Sequence, residues 1–177
     1  MNFTLEELEE AMIFFSPNQC RVWTENCIVS LEHNNILPNC LLKVTGDKNF
    51  SVPILWSSKV SKAGYKEPIK FTEKGAEALS FLLAIELTEY EVIEEATIRT
   101  GIDYWLGYDE THPKFDNLNF FQARLEISGI LKESASNTLE KRVVEKKTQT
   151  KQSDATLLPA YISVVEFSNP KAYFAIK

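Results

Sequence analysis

Apolar and polar positions along the chain change their period near residue 70. Before that point, residues 4–15 carry one apolar stripe, which predicts a short amphipathic helix. Its members are Leu5, Leu8, Met12 and Phe15. Three runs rich in strand-forming residues follow: RVWTENCIVSLEH, LPNCLLKVTG and FSVPILWSS. Asn-Asn and Gly-Asp turn signals separate them, so this part predicts a small antiparallel β-meander. The polar stretch SKVSKAGYKEPIK then predicts a connecting loop.

The second part of the chain alternates helices with strands. A helix is predicted from Thr72, its N-cap, to about Thr88. Strands are predicted over 89–99, 101–109 and 119–129, with a polar loop at 109–117. A charged helix over 137–151, capped by Asn137 or Thr138, precedes two strands at 158–168 and 171–177. This order predicts an α/β fold with helices layered on a mixed sheet.

Length favours one domain spanning residues 1–177, with 72–177 as its core. Residues 1–70 form an N-terminal antiparallel β extension in this interpretation and pack against the sheet edge. The N-terminus, MNFTLEELEEAM, lacks the basic start and apolar middle of a signal peptide. No apolar run approaches the ~20 residues that span a bilayer. We therefore expect a cytoplasmic protein that does not enter membranes.

Several classes of chemistry lack their motifs in this sequence. There is no GxxxxGK[ST] or GxGxxG turn, so we expect no nucleotide cofactor. A GxSxG elbow and an HExxH helix are also absent, and only two histidines occur. The three cysteines lack CxxC spacing, which argues against structural zinc. Any catalysis is therefore expected to depend on carboxylates.

Two carboxylates lie on strands that are predicted to be neighbours. Asp103 belongs to the second strand of the 89–129 meander, and Glu126 belongs to the third. Facing side chains on antiparallel strands are about 4.5–5.5 Å apart, so these two acids can share a divalent cation. Oxygen ligands suit Mg²⁺ or Mn²⁺. As alternatives, Asp103 caps a strand end, and Glu126 forms a cross-strand charge ladder with Arg124.

The element order and these two acids resemble the PD-(D/E)XK nuclease superfamily. The resemblance covers about residues 72–177 and rests on GIDYWL, which contains Asp103, and LEIS, which contains Glu126. It implies a restriction-endonuclease-like layered core of helix, three-strand meander, helix and strand. It also implies Mg²⁺- or Mn²⁺-dependent hydrolysis of phosphodiester bonds in nucleic acid. The family's motif has a lysine two residues after the second acid, where this chain has Ser128.

Other residues can supply the cation and acid that the resemblance implies. Arg124 shares the strand face of Glu126 by the period of two, and the family also shows lysines that have migrated, here Lys146 or Lys147. Some members carry a further acid on the first helix, for which Glu73 and Glu77 are the candidates. In the alternative interpretation, Glu73 favours the N-terminal helix dipole and Glu77 is solvated.

The charged helix is the most basic stretch of a chain whose net charge is −6. Residues 132–151 hold six Lys or Arg against three Glu, a local charge of +3. A phosphate backbone can lie along this helix, with contacts from Lys141, Arg142, Lys146 and Lys147. A solvated helix with Glu145 ion pairs is the alternative. The aromatic residues near the acids are interpreted as core: Tyr104, Trp105, Tyr108, Phe115, Phe120 and Phe121.

Two functions from different classes follow from the sequence. The first is a metal-dependent nuclease with Asp103 and Glu126 at the metal and Glu73 or Glu77 assisting. Arg124 or a helix lysine completes that site. The second is a catalytically inactive module of the same fold that binds nucleic acid or a protein partner. Such a module suits a subunit of a bacterial defence, immunity or repair assembly.

Overall fold

A computed structural model describes residues 2–177. The helices are α1 (Leu8–Ala11), α2 (Pro17–His33), α3 (Pro68–Leu87) and α4 (Leu139–Gln149). The strands are β1 (Phe3–Thr4), β2 (Cys40–Gly46), β3 (Phe50–Leu55), β4 (Glu91–Glu95), β5 (Tyr104–Gly107), β6 (Ala123–Ile130), β7 (Ala160–Glu166) and β8 (Lys171–Ile176). Short 3₁₀ turns lie at Leu5–Glu7, Lys62–Gly64 and Thr150–Thr156.

All of these strands belong to one mixed sheet with the order β1-β3-β2-β8-β7-β6-β5-β4. Strands β4, β5 and β6 pair in antiparallel fashion, and β6 pairs in parallel with β7. On the far side, β8 is antiparallel to β7 and parallel to β2. The predicted α/β class and mixed sheet are therefore confirmed.

Helices α3 and α4 cover opposite faces of this sheet. The face toward α3 is largely apolar, and a hydrogen bond of 2.7 Å joins the hydroxyls of Ser80 and Ser163 across it. On the other face, α4 packs Leu139 and Val143 into a smaller cluster with Ile130. Because β6 alternates its side chains, Leu125 and Ile127 join the α3 side, while Glu126 and Ser128 point toward α4.

The segment 21–33 is helical, and the strand prediction for it is wrong. Ser16 accepts a hydrogen bond from Gln19 N, while the Gln19 side chain accepts from Ser16 N, forming a capping box. Pro17 occupies the first helical turn, where its missing N–H is harmless. The N-terminal part is thus a helix and the β2–β3 hairpin, in place of a three-strand meander.

Helix α2 packs on α3 through both polar and aromatic contacts. The hydroxyl of Ser30 donates to the carbonyl of Phe71 at 3.0 Å. The Trp23 and Phe81 rings meet edge to face, with 4.8 Å between their centroids. These contacts form a second helical layer over the α3 face of the sheet.

The remaining boundaries largely follow the predictions. The stripe residues Leu5, Leu8 and Met12 are buried, although the predicted 4–15 helix is reduced to a 3₁₀ turn and α1. Helix α3 begins at Pro68, not at Thr72, since proline at N1 is a start signal that the sequence interpretation overlooked. Thr138 caps α4 by accepting from Lys141 N, as predicted.

The sequence predicts that residues 1–70 pack against the sheet edge. In the structure, strands β1, β2 and β3 of this part extend the sheet itself. Strand β2 pairs with β8 from Lys43 with Lys171 to Gly46 with Phe174. The N-terminal hairpin and the 72–177 segment therefore share one backbone hydrogen-bond network. None of the helices in residues 2–177 combines the length and apolar character needed to cross a bilayer.

Candidate functional site

Asp103 lies where β5 stops covering its neighbour β6. Tyr104 pairs with Leu125, and one residue beyond this pair Asp103 stands opposite Glu126. The Asp103 N–H donates to the Leu125 carbonyl at 2.9 Å. Just before Asp103 in the chain, Gly101 adopts a φ of +75°, and the backbone leaves the sheet.

The Asp103 carboxylate takes over a position in the strand ladder. Its Oδ2 accepts the backbone N–H of Ile127 at 2.7 Å, which satisfies a donor that β5 no longer reaches. Burial raises the pKa of Asp103, while this N–H and the charge of Lys146 oppose the rise. The strand-capping alternative is thus present, and it orients the acid next to Glu126.

Glu126 is fully buried and only half satisfied. Its Oε1 accepts from Lys146 Nζ at 2.5 Å, whereas its Oε2 has no hydrogen-bond partner within residues 2–177. Burial raises the pKa of Glu126 to about 7, and the negative charge of Asp103 adds to the rise. Lys146 acts in the opposite direction. A buried carboxylate oxygen without a donor is costly, which makes this atom a ready ligand for a cation.

A cleft of about 280 Å³ opens over these groups. Residues from α3, the β5 end, β6 and α4 line it: Glu73, Glu77, Asp103, Ile127, Ser128, Gly129, Arg142 and Lys146. The α3 acids Glu73 and Glu77, the strand acid Asp103 and two predicted cations, Arg142 and Lys146, therefore meet in this cleft. Glu126 lies beneath Lys146. These residues are far apart in the sequence and converge only because α3 and α4 approach this end of β6 from opposite faces.

Arg142 and Lys146 are four residues apart on α4 and both face the cleft. The Arg142 guanidinium donates to Ser128 Oγ at 3.0 Å and to Asn137 Oδ1 at 2.8 Å. Ser128 stands at the motif-lysine position, so a guanidinium from α4 covers the place that a lysine from β6 would occupy. The sequence interpretation named Arg142 only for nucleic-acid binding, and nothing in the strand pattern indicated its contact with Ser128.

Arg124 lies elsewhere, although it shares the strand face of Glu126. Its guanidinium donates to the Leu158 carbonyl at 2.5 and 3.0 Å and to Ser153 Oγ at 2.9 Å. It also forms an ion pair with Asp154. Arg124 therefore fixes the segment before β7, and the cation beside Glu126 is Lys146. The proposed charge ladder between Arg124 and Glu126 is replaced by these contacts.

Glu77 is largely buried at the α2–α3 interface, with 13% of its side chain exposed, so the solvated alternative for it is wrong. Its carboxylate accepts from Trp23 Nε1 at 2.6 Å, from Tyr104 OH at 2.9 Å and from Lys74 Nζ at 2.9 Å. Burial raises the pKa of Glu77 despite these donors. Glu73 is exposed at the cleft wall. Because α3 begins at Pro68, Glu73 lies beyond the first turn, and the dipole interpretation of its position is wrong.

The other two predicted phosphate contacts do not line the cleft. Lys141 Nζ donates to the Ala135 carbonyl at 2.6 Å, and Lys147 lies over the Tyr173 ring with 5.5 Å from Nζ to the centroid. The solvated-helix alternative also holds in part, because Arg142 pairs with Glu145 at 3.2 Å. The four basic residues of α4 therefore divide into a cleft pair and a peripheral pair.

The aromatic residues near the acids are only partly core. Tyr104 and Tyr108 are buried, as predicted. Trp105 and Phe121 stack with 4.8 Å between centroids and remain half-buried, and Phe120 is also half-buried.

The donor set of the cleft fits a hard divalent cation held together with a phosphate. Within residues 2–177, no three His, Cys, Asp or Glu side chains form a self-contained metal site. Mg²⁺ commonly binds through one or two carboxylates and completes its shell with water and substrate phosphate. Asp103, which lines the cleft, and the unpartnered Oε2 of Glu126 beneath it are the candidate oxygen ligands.

Comparison of this chain with protein-family models, with curated proteins and with solved structures found no match.

Proposed function

We propose that this protein is a divalent-metal-dependent nuclease of PD-(D/E)XK type. The observation that carries the proposal is the convergence of Asp103, Glu126 and Lys146 at one end of β6. The antiparallel β4–β5–β6 meander, followed by α4 and the parallel strand β7, supports it. Helices on opposite faces of that sheet agree with the layered core that the resemblance implies.

Asp103 and Glu126 would hold Mg²⁺ or Mn²⁺. When bound, such an ion lowers the pKa of a water molecule and stabilises charge on a phosphoryl oxygen. The chain itself orients both acids, because the Ile127 N–H fixes Asp103 and burial in β6 fixes Glu126. Burial and the negative charge of Asp103 raise the pKa of Glu126, and a bound cation would act in the opposite direction.

Lys146 takes the role of the missing motif lysine. Its ammonium reaches Glu126 from α4, while a lysine at position 128 would reach it along β6. A cation at this place orients the attacking water and opposes the negative charge that develops on the phosphate. Lys146 retains partial exposure, with 17% of its side chain accessible, so it can also meet substrate.

Arg142 is the phosphate-orienting residue of the proposal. Hydrogen bonds to Ser128 and Asn137 fix the orientation of its guanidinium at the cleft wall. A planar guanidinium binds phosphate oxygens in a bidentate manner, which a lysine cannot reproduce. Its pairing with Glu145, which is 67% exposed, is a weak competitor for that interaction.

Cleavage of labelled single- and double-stranded DNA and RNA tests the proposal. The natural protein is compared with Asp103→Asn and Glu126→Gln in Mg²⁺ or Mn²⁺, with Glu94→Gln on exposed β4 as the matched control. Both site variants should lose at least ~100-fold in rate, while the control remains active. Equal cleavage by all four proteins would overturn the proposal.

Failure of the natural protein to cleave, with retained nucleic-acid binding, would favour the second candidate function. A catalytically inactive module in a defence, immunity or repair assembly agrees with one specific observation, which is Ser128 at the motif-lysine position. In that case the cleft binds phosphate through Arg142 and Lys146 without hydrolysis.

A further inference from the structure

A second cleft lies beside the first, between the N-terminal end of α2 and helix α3. Its volume is about 330 Å³, within the roughly 300–1,000 Å³ range of small-ligand sites. The apolar lining consists of Phe15, Val22, Trp23 and Tyr104. Polar side chains complete its boundary: Asn18, Gln19, Lys74 and Glu95. The sequence predicts Tyr104 as a core residue and assigns no site role to the other seven.

Glu77 separates the two clefts and accounts for the apolar character of the second. Trp23 Nε1 and Tyr104 OH both donate to its Oε2, at 2.6 and 2.9 Å. The polar ends of both rings are thereby satisfied. Trp23 and Tyr104 are only 5% and 2% exposed, so they add a small apolar surface to the cleft beside the half-buried Phe15. Glu77 lines the first cleft and accepts hydrogen bonds from Trp23, Tyr104 and Lys74 of the second, so the two clefts are neighbours on either side of this carboxylate.

Lys74 lines the second cleft and contacts Glu77 of the first. Its ammonium donates to both oxygens of Glu77 at 2.9 Å, yet 43% of its side chain remains exposed. An ammonium has three donors, so one remains for an anion outside. Lys74 is therefore a cation at the second cleft, as Arg142 and Lys146 are at the first.

Amide groups supply the polar edge of the second cleft. Gln19 Oε1 is used by Ser16 in the capping box, which leaves the Gln19 NH₂ group as a donor. Asn18 is exposed on the first turn of α2 and offers both a donor and an acceptor. An occupant therefore needs an apolar face, a hydrogen-bonding edge and a link to an anion at Lys74.

We propose that the second cleft holds one unpaired nucleobase of the nucleic acid whose phosphate lies in the first cleft. The inference rests on the proposed nuclease function and adds the substrate class, which is single-stranded or locally unpaired nucleic acid. A base inside a duplex cannot enter, because its edge is paired and both of its faces are stacked. Base contact with aromatic surface contributes affinity that does not depend on sequence.

Equilibrium binding of two oligomers of equal charge tests this proposal. The probes are an eight-nucleotide oligothymidylate and an abasic deoxyribose-phosphate oligomer of the same length, both in EDTA to prevent cleavage. The variant is Val22→Asp, which puts a carboxylate into the second cleft. Val22 is 51% exposed, so a charged side chain at this position remains in contact with solvent. The matched control is Leu37→Asp, which is 74% exposed and lies after the opposite end of α2.

The natural protein should bind the thymidylate oligomer about tenfold more tightly than the abasic oligomer. Val22→Asp should remove that difference and Leu37→Asp should preserve it. Val22→Asp also adds negative charge, which weakens the binding of both oligomers alike. The ratio of the two affinities is therefore the informative quantity. Tryptophan fluorescence, to which Trp23 contributes together with Trp56 and Trp105, should change with the thymidylate oligomer only.

Three results would overturn the proposal in distinguishable ways. Equal affinity of the natural protein for both oligomers would show that the second cleft holds no nucleobase. Phosphate binding in the first cleft would be unaffected by that result. Binding of neither oligomer would overturn the nucleic-acid function itself, and the nucleobase site with it. A thymidylate preference that survives in Val22→Asp would place base recognition outside the second cleft.

Discussion

Lys146 Nζ on α4 lies 2.5 Å from Glu126 Oε1 on β6, and this contact joins the helix to a buried carboxylate beneath the cleft. The two residues stand on elements that the apolar cluster around Val143 already packs together. The ion pair is therefore held by the fold, and Lys146 contributes to stability as well as to the proposed chemistry.

Removal of Lys146 should affect both properties. Lys146→Ala leaves the buried Glu126 without a donor, which should lower the free energy of unfolding by ~3 kcal/mol at pH 8 and abolish cleavage. Lys147→Ala, next along the same helix, is the control and should change either quantity little. Thermal unfolding and cleavage rates measure the two effects.

The double variant Lys146→Ala/Glu126→Gln separates these roles. Because it removes the uncompensated charge, it should regain most of the lost stability while cleavage stays absent. Stability that remains as low as in Lys146→Ala would contradict the ion-pair account.

Arg142 should govern substrate affinity. Arg142→Ala removes one phosphate contact, so nucleic-acid binding should weaken by at least about tenfold and its dependence on the logarithm of salt concentration should lose about one unit of slope. Lys141→Ala is the matched control, since Lys141 contacts Ala135 outside the cleft. Binding titrations at several salt concentrations check the prediction. Equal losses in both variants would point to the whole helix surface in place of the Arg142 position.

The metal-free protein should become less stable as pH rises from about 5 to 7. The pKa of Glu126 is about 7 in the folded chain against an ordinary value of 4.5, so the fold binds more protons than the unfolded chain within this window. The free energy of unfolding must then fall with rising pH until Glu126 is ionised. Burial raises the pKa of Asp103 and of Glu77 as well, which acts in the same direction.

Thermal unfolding in EDTA at several pH values measures this effect. Glu126→Gln should show a flatter profile and a higher Tm at pH 8 than the natural protein. An unchanged slope in Glu126→Gln would assign the pH dependence to other groups.

Gly129 sets the approach of α3 to the floor of the cleft. A Cβ at this position would lie 2.5 Å from the Thr72 carbonyl oxygen and 2.8 Å from Thr72 Cγ2. Gly129→Ala should therefore displace α3 and lower stability by about 1–3 kcal/mol, with loss of cleavage. Gly64→Ala meets no atom within 4 Å and serves as the control. Equal Tm values for the two variants would show that α3 yields without cost.

Sequence patterns predicted the second part of the fold better than the first. Alternation along 89–129 and the cap at Thr138 reflect local rules, and the structure follows them. The segment 21–33 failed because Val22, Thr24 and Ile28 favour strands by local preference. Its helix signals were the Ser16–Gln19 capping box and Pro17. Burial of one face of α2 against α3 outweighs the local strand preference.

The sequence predicts which acids lie near each other where one strand register decides proximity. Asp103 and Glu126 meet because β5 and β6 are consecutive antiparallel strands. The neighbouring cation depended on tertiary contacts, since the carbonyl of Leu158 draws Arg124 away and the rotation of α4 selects Lys146. Trp23 was missed entirely, because its segment was interpreted as a strand and no local pattern links it to Glu77.

The position of β8 between β7 and β2 bears on how the chain assembles during synthesis. Thr45 of β2 donates to the Ala172 carbonyl of β8, a contact that spans 127 residues. The β2–β3 hairpin thus leaves the ribosome long before the strand that joins it to the rest of the sheet. Until β8 emerges, one edge of the hairpin stays unpaired, and the nascent chain at that stage is the form most exposed to strand-mediated association.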